Sequence, residues 1–194
     1  MEADQRLNSN RFKSEENDFL EKLRRSLDLR LDDEGRFIYE GDVITHPKVH
    51  ALFHRSICMN PKTKEYYLQI GDQIAYFQVD SFAFFITQFE VCQDGSPQDD
   101  PPQDGSPQRI KIVLNQGEVL IDAIDSLYSV DFEKIYVQLK DQRKCGVLKK
   151  AREQMLAFLE TLDLGQEQAF VLKIGASLFK INELSSLDEL KIKD

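Results

Sequence analysis

An α+β domain of two similar, β-rich halves is the fold this sequence predicts, and three observations carry that prediction. Strand-like alternation broken by Gly-containing turns fills most of the chain. Helical periodicity is confined to a segment near the N-terminus, a segment after Pro47 and a long stretch over 140–162. The third observation is an internal echo: L-Q-I-G at Leu68–Gly71 returns as L-K-I-G at Leu172–Gly175. The expected organisation is a flexible start over 1–13, a first half with its N-terminal helix over 14–92, a flexible inserted loop over 93–108, and a second half over 109–194 that carries the long helix.

Taken in order, residues 1–13 are polar and expected to fray. Ser14 is positioned to cap a helix with acids in its first turn and Lys22, Arg24 and Arg25 toward its end, an order that suits the helix dipole. Phe19, Leu20, Leu23 and Leu27 are its apolar stripe. Leu29–Leu31 and Arg36–Tyr39 alternate as strands around the turn Asp32–Gly35, and Gly41-Asp42 signals a second turn. A helix is expected from Pro47 to about Cys58, since a first-position proline loses no hydrogen bond there. Tyr66–Ile70 and Gln73–Val79 flank the turn Gly71-Asp72, and Phe82–Val91 reads as a further strand.

The hexapeptide Q-D-G-S-P-Q occurs at Gln93–Gln98 and again at Gln103–Gln108. It offers no apolar side chain to bury, so it is expected to be a solvated loop, inserted where extra length costs little. Beyond it, Arg109–Leu114, Glu118–Ile121 and Phe132–Leu139 read as strands. Val147, Leu148, Ala151, Met155, Phe158, Leu159 and Leu162 give the long helix its spacing, and Gly165 a stop. Ala169–Ile174 and Ser177–Ile181 form a closing hairpin. The turn-strand D-E-G-R-F-I-Y at Asp33–Tyr39 is paralleled by N-Q-G-E-V-L-I at Asn115–Ile121, which extends the echo.

Charge excludes some partners. The net charge of −9, from 25 Lys and Arg against 34 Asp and Glu, repels nucleic-acid phosphates and anionic membrane surfaces. The basic residues from Lys140 to Arg152, among them Arg143, Lys144, Lys149 and Lys150, are read as the solvated face of the long helix. No apolar run approaches the roughly 20 residues that cross a bilayer. Three cysteines, Cys58, Cys92 and Cys145, lie far apart without a C-x-x-C, as expected of reduced thiols in a cytoplasmic protein.

The run E-G-R-F-I-Y-E-G-D-V-I, then V-H-A-L-F-H-R-S-I, then Y-Y-L with I-A-Y-F-Q-V-D and Phe82, resembles the bacterial family known as domain of unknown function 1285. Gly35, Gly41, Ile44, Leu52, Phe53, Tyr67, Leu68, Val79 and Asp80 fall on its pattern; the second half matches it loosely, through L-K-I-G-A-S-L-F. Phe37 stands where the family's aromatic is usually Trp, Gln69–Gln73 lacks its Thr-Pro-x-Glu-Lys stretch, and Ser81 replaces a Pro. The resemblance implies an α+β fold with repeated motifs and a suggested role in signal transduction, with no established activity.

No G-x-S-x-G, P-loop, G-x-G-x-x-G or H-E-x-x-H is present, so no catalytic residue and no cofactor are assigned. His46, His50 and His54 recur at four-residue spacing with Cys58 the next step, and helical residues four apart stack on one face. His50 and His54 are therefore the candidate metal ligands, although one straight stripe cannot surround a metal. The first functional expectation is a cytoplasmic, non-enzymatic binding or interaction module of a signalling kind. It would take a protein or small-molecule ligand between the halves, with Asp33, Tyr39, Tyr67 and Tyr76 as candidate binding residues. The alternatives are a metal-dependent or small-molecule enzyme using His50, His54 and Cys58, and a homo-oligomer paired through edge strands.

Overall fold

Short apolar strands punctuated by turn residues decide how this chain folds. The computed structural model describes residues 20–93, 108–130, 134–163, 168–186 and 189. They form two compact units, one from residues 20–32 and 36–80, the other from 33–35 and the described residues from 81 on. The expectations for 1–13, for the start of the first helix at Ser14, for the loop over 94–107 and for Gly165 lie outside the described residues.

In the first unit, residues 20–25 are helical (α1). β1 (Leu29–Leu31), β2 (Phe37–Tyr39) and β3 (Asp42–Val43) form an antiparallel meander, and β7 (Gln78–Val79) pairs parallel with β1 on its other side. α2 (Pro47–Arg55) carries its proline in the first turn, as expected, but stops short of Cys58. There the N–H of Ser56 bonds back to the carbonyls of Leu52 and Phe53, and Ile57 opens β4 (Ile57–Met59). β4, β5 (Tyr66–Ile70) and β6 (Gln73–Tyr76) make a second antiparallel meander. The core of this unit is aromatic: Phe37 packs at 5.2 Å from Phe53, 5.5 Å from Phe77 and 5.1 Å from the ring of His54.

The second unit is a large mixed sheet. Its strands are β8 (Phe84–Gln93), β9 (Gln108–Leu114), β10 (Val119–Ile121), β11 (Ile124–Val130), β12 (Lys134–Leu139), β13 (Lys144–Val147), β14 (Leu159–Asp163), β15 (Gln168–Ile174) and β16 (Ser177–Leu184). Among the described residues they run in the order β10-β9-β8-β13-β12-β11-β16-β15-β14. β13 with β8 and β11 with β16 are the parallel pairs; the other neighbours are antiparallel. One face of β8, β9, β12 and β13 buries Ile86, Ile112, Val137, Leu139 and Cys145 together with Ala151 and Met155. Those last two come from α3 (Lys149–Leu156).

The architecture is α+β with much more sheet than helix, and the long helix expected over 140–162 is not formed. Residues 140–142 turn instead, with Gln142 at φ 72° and the Arg143 N–H bonded to Asp141 Oδ1 at 3.1 Å. Lys144–Val147 then pairs with β12 on one side and β8 on the other. Helix survives only over Lys149–Leu156, where Ala151 and Met155 are buried one turn apart, and Leu159–Asp163 returns as a strand against β15. The apolar residues of 140–162 satisfy either period, and ladder partners on both flanks decide between them.

Each unit runs a three-stranded meander, a helix and then further strands. β1-β2-β3, α2 and β4-β5-β6 are followed by a strand, β7, parallel to β1. β11-β12-β13, α3 and β14-β15 are followed by β16, parallel to β11. Both L-x-I-G segments end in a hairpin turn, with Gly71 at φ 59° and Gly175 at φ 57°, a region that glycine enters without steric cost. Among the described residues no helix is long and apolar enough to cross a membrane.

Candidate functional site

The turn after β1 begins with its own wiring. Asp32 accepts the backbone N–H and the Nε–H of Arg36, each at 2.8 Å, which closes the turn locally. Gly35, at φ 73°, has space for no bulky side chain: a Cβ there would lie 3.4 Å from Leu148 Cδ2 and 3.5 Å from the ring of Phe85. Residues 33–35 thus belong to the second unit. Asp33 accepts hydrogen bonds from Ser81 Oγ and from Lys134 Nζ, the latter at 3.1 Å.

A cavity of about 1070 Å³ opens beside this turn, entirely within the second unit. Asp33, Glu34, Lys134, Lys149, Lys150 and Arg152 supply its charged lining. Leu156, Leu159, Phe170 and Ile181 supply apolar wall. Strand period explains the pairing of Lys134 with Tyr136: two residues apart on β12, they share one face, opposite the core residues Ile135 and Val137. Tyr136 lines the cavity, is only 4% exposed, and its hydroxyl has no hydrogen-bond partner among the described residues. Burial, with the Asp33 carboxylate second, pushes its phenol up to about 12, so it is a neutral donor at physiological pH.

α3 points its first turn into the same cavity. Its cap residue, Leu148, has no side chain able to accept from the helix, and no acidic residue occupies the first turn. The first N–H groups of any helix lack carbonyl partners inside it. Lys149 and Lys150 stand where the dipole disfavours cations. Lys149 and Lys150 are exposed, as expected of a solvated helix face, and with half-buried Arg152 they also line this cavity.

The sequence-predicted candidates divide between the units. Asp33 is in the cavity. Tyr39 lies in the first unit, on the edge of a smaller apolar groove of about 380 Å³ that includes Phe53, Leu68 and Ile74. The Glu40 carboxylate holds the Tyr39 phenol above its ordinary range. Tyr67 and Tyr76 face each other across β5 and β6, rings 5.8 Å apart, but neither lines that groove. The guanidinium of Arg25 lies 4.1 Å over the Tyr76 ring and bonds Glu65 at 2.6 Å. Only Tyr67 and Tyr76 are brought together.

The histidine stripe is likewise interrupted. His46 caps α2 from outside it, and Cys58 is on β4, paired with Tyr67. His50 and His54 do meet, Nε2 to Nε2 at 3.3 Å, with His54 buried against Phe37. Among the described residues no group of three or more His, Cys, Asp or Glu is placed to hold a metal ion. The cavity residues Tyr136, Lys134, Lys149 and Lys150 escaped sequence reasoning. Adjacent lysines opening a helix, against its dipole, were the available signal.

No family model and no curated protein match the chain. Solved structures do. A DUF1285 family protein from Silicibacter pomeroyi DSS-3 superimposes with a TM-score of 0.53 at 19% identity, over 85% of this chain and 83% of that one. A DUF1285 family protein from Shewanella baltica OS155 aligns with a TM-score of 0.43 at 16% identity, over 68% of this chain and 92% of that one. Spanning most of both chains, the Silicibacter match identifies the fold of this protein as DUF1285-like.

Proposed function

We propose that this protein is a binding module that holds a small-molecule ligand in the cavity of its second unit without transforming it, in a bacterial signalling or regulatory role. The observation that carries the proposal is a cavity of ligand size lined by charged and apolar side chains, among them Tyr136, whose buried hydroxyl has no partner among the described residues. An unmade buried hydrogen bond is costly, and a ligand acceptor would make it.

The chemistry of the wall favours holding over turnover. No histidine is among the described residues that line the cavity, which include one serine. That residue, Ser129, donates its hydroxyl to the Lys134 carbonyl at 3.1 Å. Cys145 lies in the core and not in the lining, and burial pushes its thiol up to about 12, which keeps it protonated. The regulatory role is the part that the family resemblance supports, and the internal duplication belongs to the same proposal, supported by the shared order of connection.

The sequence has no Trp, which offers a clean test. Phe170→Trp places one indole on the cavity wall. Its emission should shift saturably with at least one compound class in a metabolite panel, and that compound should be recovered unchanged. A panel that moves neither emission nor thermal midpoint overturns the proposal, as does recovery of a converted product.

A further inference from the structure

We infer that the ligand of this cavity is a small amphipathic organic anion, with a carboxylate or phosphate head held by Lys149, Lys150, the open N-terminus of α3 and the Tyr136 hydroxyl, and an apolar body against Leu156, Leu159 and Phe170. The inference rests on the cavity being the binding site and adds the chemical class of what fills it.

Charge is the first support. The lining carries four cations, Lys134, Lys149, Lys150 and Arg152, against two carboxylates, Asp33 and Glu34. That leaves a local surplus of two positive charges in a chain whose net charge is −9. One of the two carboxylates, Asp33, is already engaged by Lys134 and Ser81. No ion pair joins Lys149 or Lys150 to another described residue. Such a local surplus draws an incoming anion toward the cavity.

Helix geometry is the second. α3 begins without a side-chain cap and with two lysines in its first turn, so its N–H groups and its dipole favour an anion where the chain itself supplies none. Independent of the helix, the Tyr136 hydroxyl is a third. A neutral phenol with no described acceptor suits an oxyanion, because hydrogen bonds to a charged partner are the stronger kind. The apolar end has its own sign: Leu156 and Phe170 are exposed large hydrophobic side chains that line this same cavity.

Calorimetric titration of the full chain with octanoate, octyl phosphate, octanol and octylamine tests the class directly. Octanoate or octyl phosphate should bind saturably, more weakly as salt rises, and the better of the two identifies the head group. Tyr136→Phe should weaken that binding by about tenfold or more, as expected for one hydrogen bond to a charged group. The double variant Lys149→Ala/Lys150→Ala should do the same, and neither should change octanol binding. Both variants spare core packing, and circular dichroism confirms that each is folded. Octanol or octylamine binding as tightly as both anions, or anion binding indifferent to both variants, overturns the anion assignment and leaves the cavity as the binding site. Failure of both anions also overturns it. The binding module itself falls only if the panel moves neither emission nor thermal midpoint, or if a converted product is recovered.

Discussion

A methyl group on Gly146 would stand 2.9 Å from both Cδ1 and Cε1 of Phe85. Gly146 lies opposite Tyr136 in the ladder between β12 and β13, and the Phe85 ring, 1% exposed, occupies the room its side chain would take. The ring is walled in and cannot swing away. Gly146→Ala is therefore expected to destabilise the fold by about 1–3 kcal/mol, the cost of overpacking a tight core. Phe85→Leu in the same chain should return part of that loss, a coupling between neighbours that denaturant titration of the four variants measures. An unchanged midpoint for Gly146→Ala would sink the claim.

The same glycine shows what was and was not legible in the sequence. The hairpins at Gly71 and Gly175 were readable because a two-residue turn between apolar runs is a local signal. The short helix after Pro47 was readable for the same reason, though its end was not, since Ile57 leaves the helix to meet Leu68. The long helix over 140–162 misled because Leu148, Ala151 and Met155 do keep helical spacing. Gly146 falls inside that stretch, and its small size answers to Phe85, a residue far away in the sequence. The cavity was illegible because its lining gathers from β11, β12, α3, β15 and the turn at Asp33, which only tertiary pairing brings together.

His54 tests whether the histidine pair is core or metal site. It is 5% exposed and packs on Phe37, while half-buried His50 faces it at 3.3 Å. His54→Ala should cost about 2–4 kcal/mol, as for other large-to-small core changes, and His50→Ala clearly less. Urea midpoints of the wild type should be the same with and without EDTA. A midpoint that EDTA lowers in the wild type but not in His50→Ala would restore the metal reading.

Asp122 makes the acid limb of stability predictable. Burial alone would push its carboxyl up, but the Ile110 N–H and the Arg109 Nε–H, each at 2.8 Å, outweigh burial and hold it below the usual carboxylate range. A depressed folded value means that this contribution is present above the ordinary aspartate pKa of about 4 and is lost as pH falls through the folded value. Asp122→Asn keeps an acceptor for Ile110 and tolerates the backbone φ of 49°. It should therefore flatten the decline of stability between neutral and acid pH. Asp122→Ala should cost about 1 kcal/mol at neutral pH, a small figure because the side chain is well exposed. Denaturation across pH reads both, and an undiminished acid decline in Asp122→Asn would refute the assignment.

Tyr136 should behave as a ligand-binding residue does, stable to lose and costly to function. Its hydroxyl is buried without a described partner, so removing it relieves a desolvation cost and surrenders no hydrogen bond within the fold. Without ligand, Tyr136→Phe is expected to be as stable as the wild type or more stable by up to about 1 kcal/mol. High pH gives an independent readout. Because burial raises its phenol to about 12, ionising it is disfavoured in the fold, and the wild type loses stability as pH rises from the ordinary tyrosine range through the folded value. Tyr136→Phe should lose less stability over that window, and its ultraviolet titration should lack a phenol that ionises near pH 12. A structural hydroxyl would give the opposite pattern, with Tyr136→Phe destabilised at neutral pH. That result would remove the physical reason for assigning the residue to a binding site.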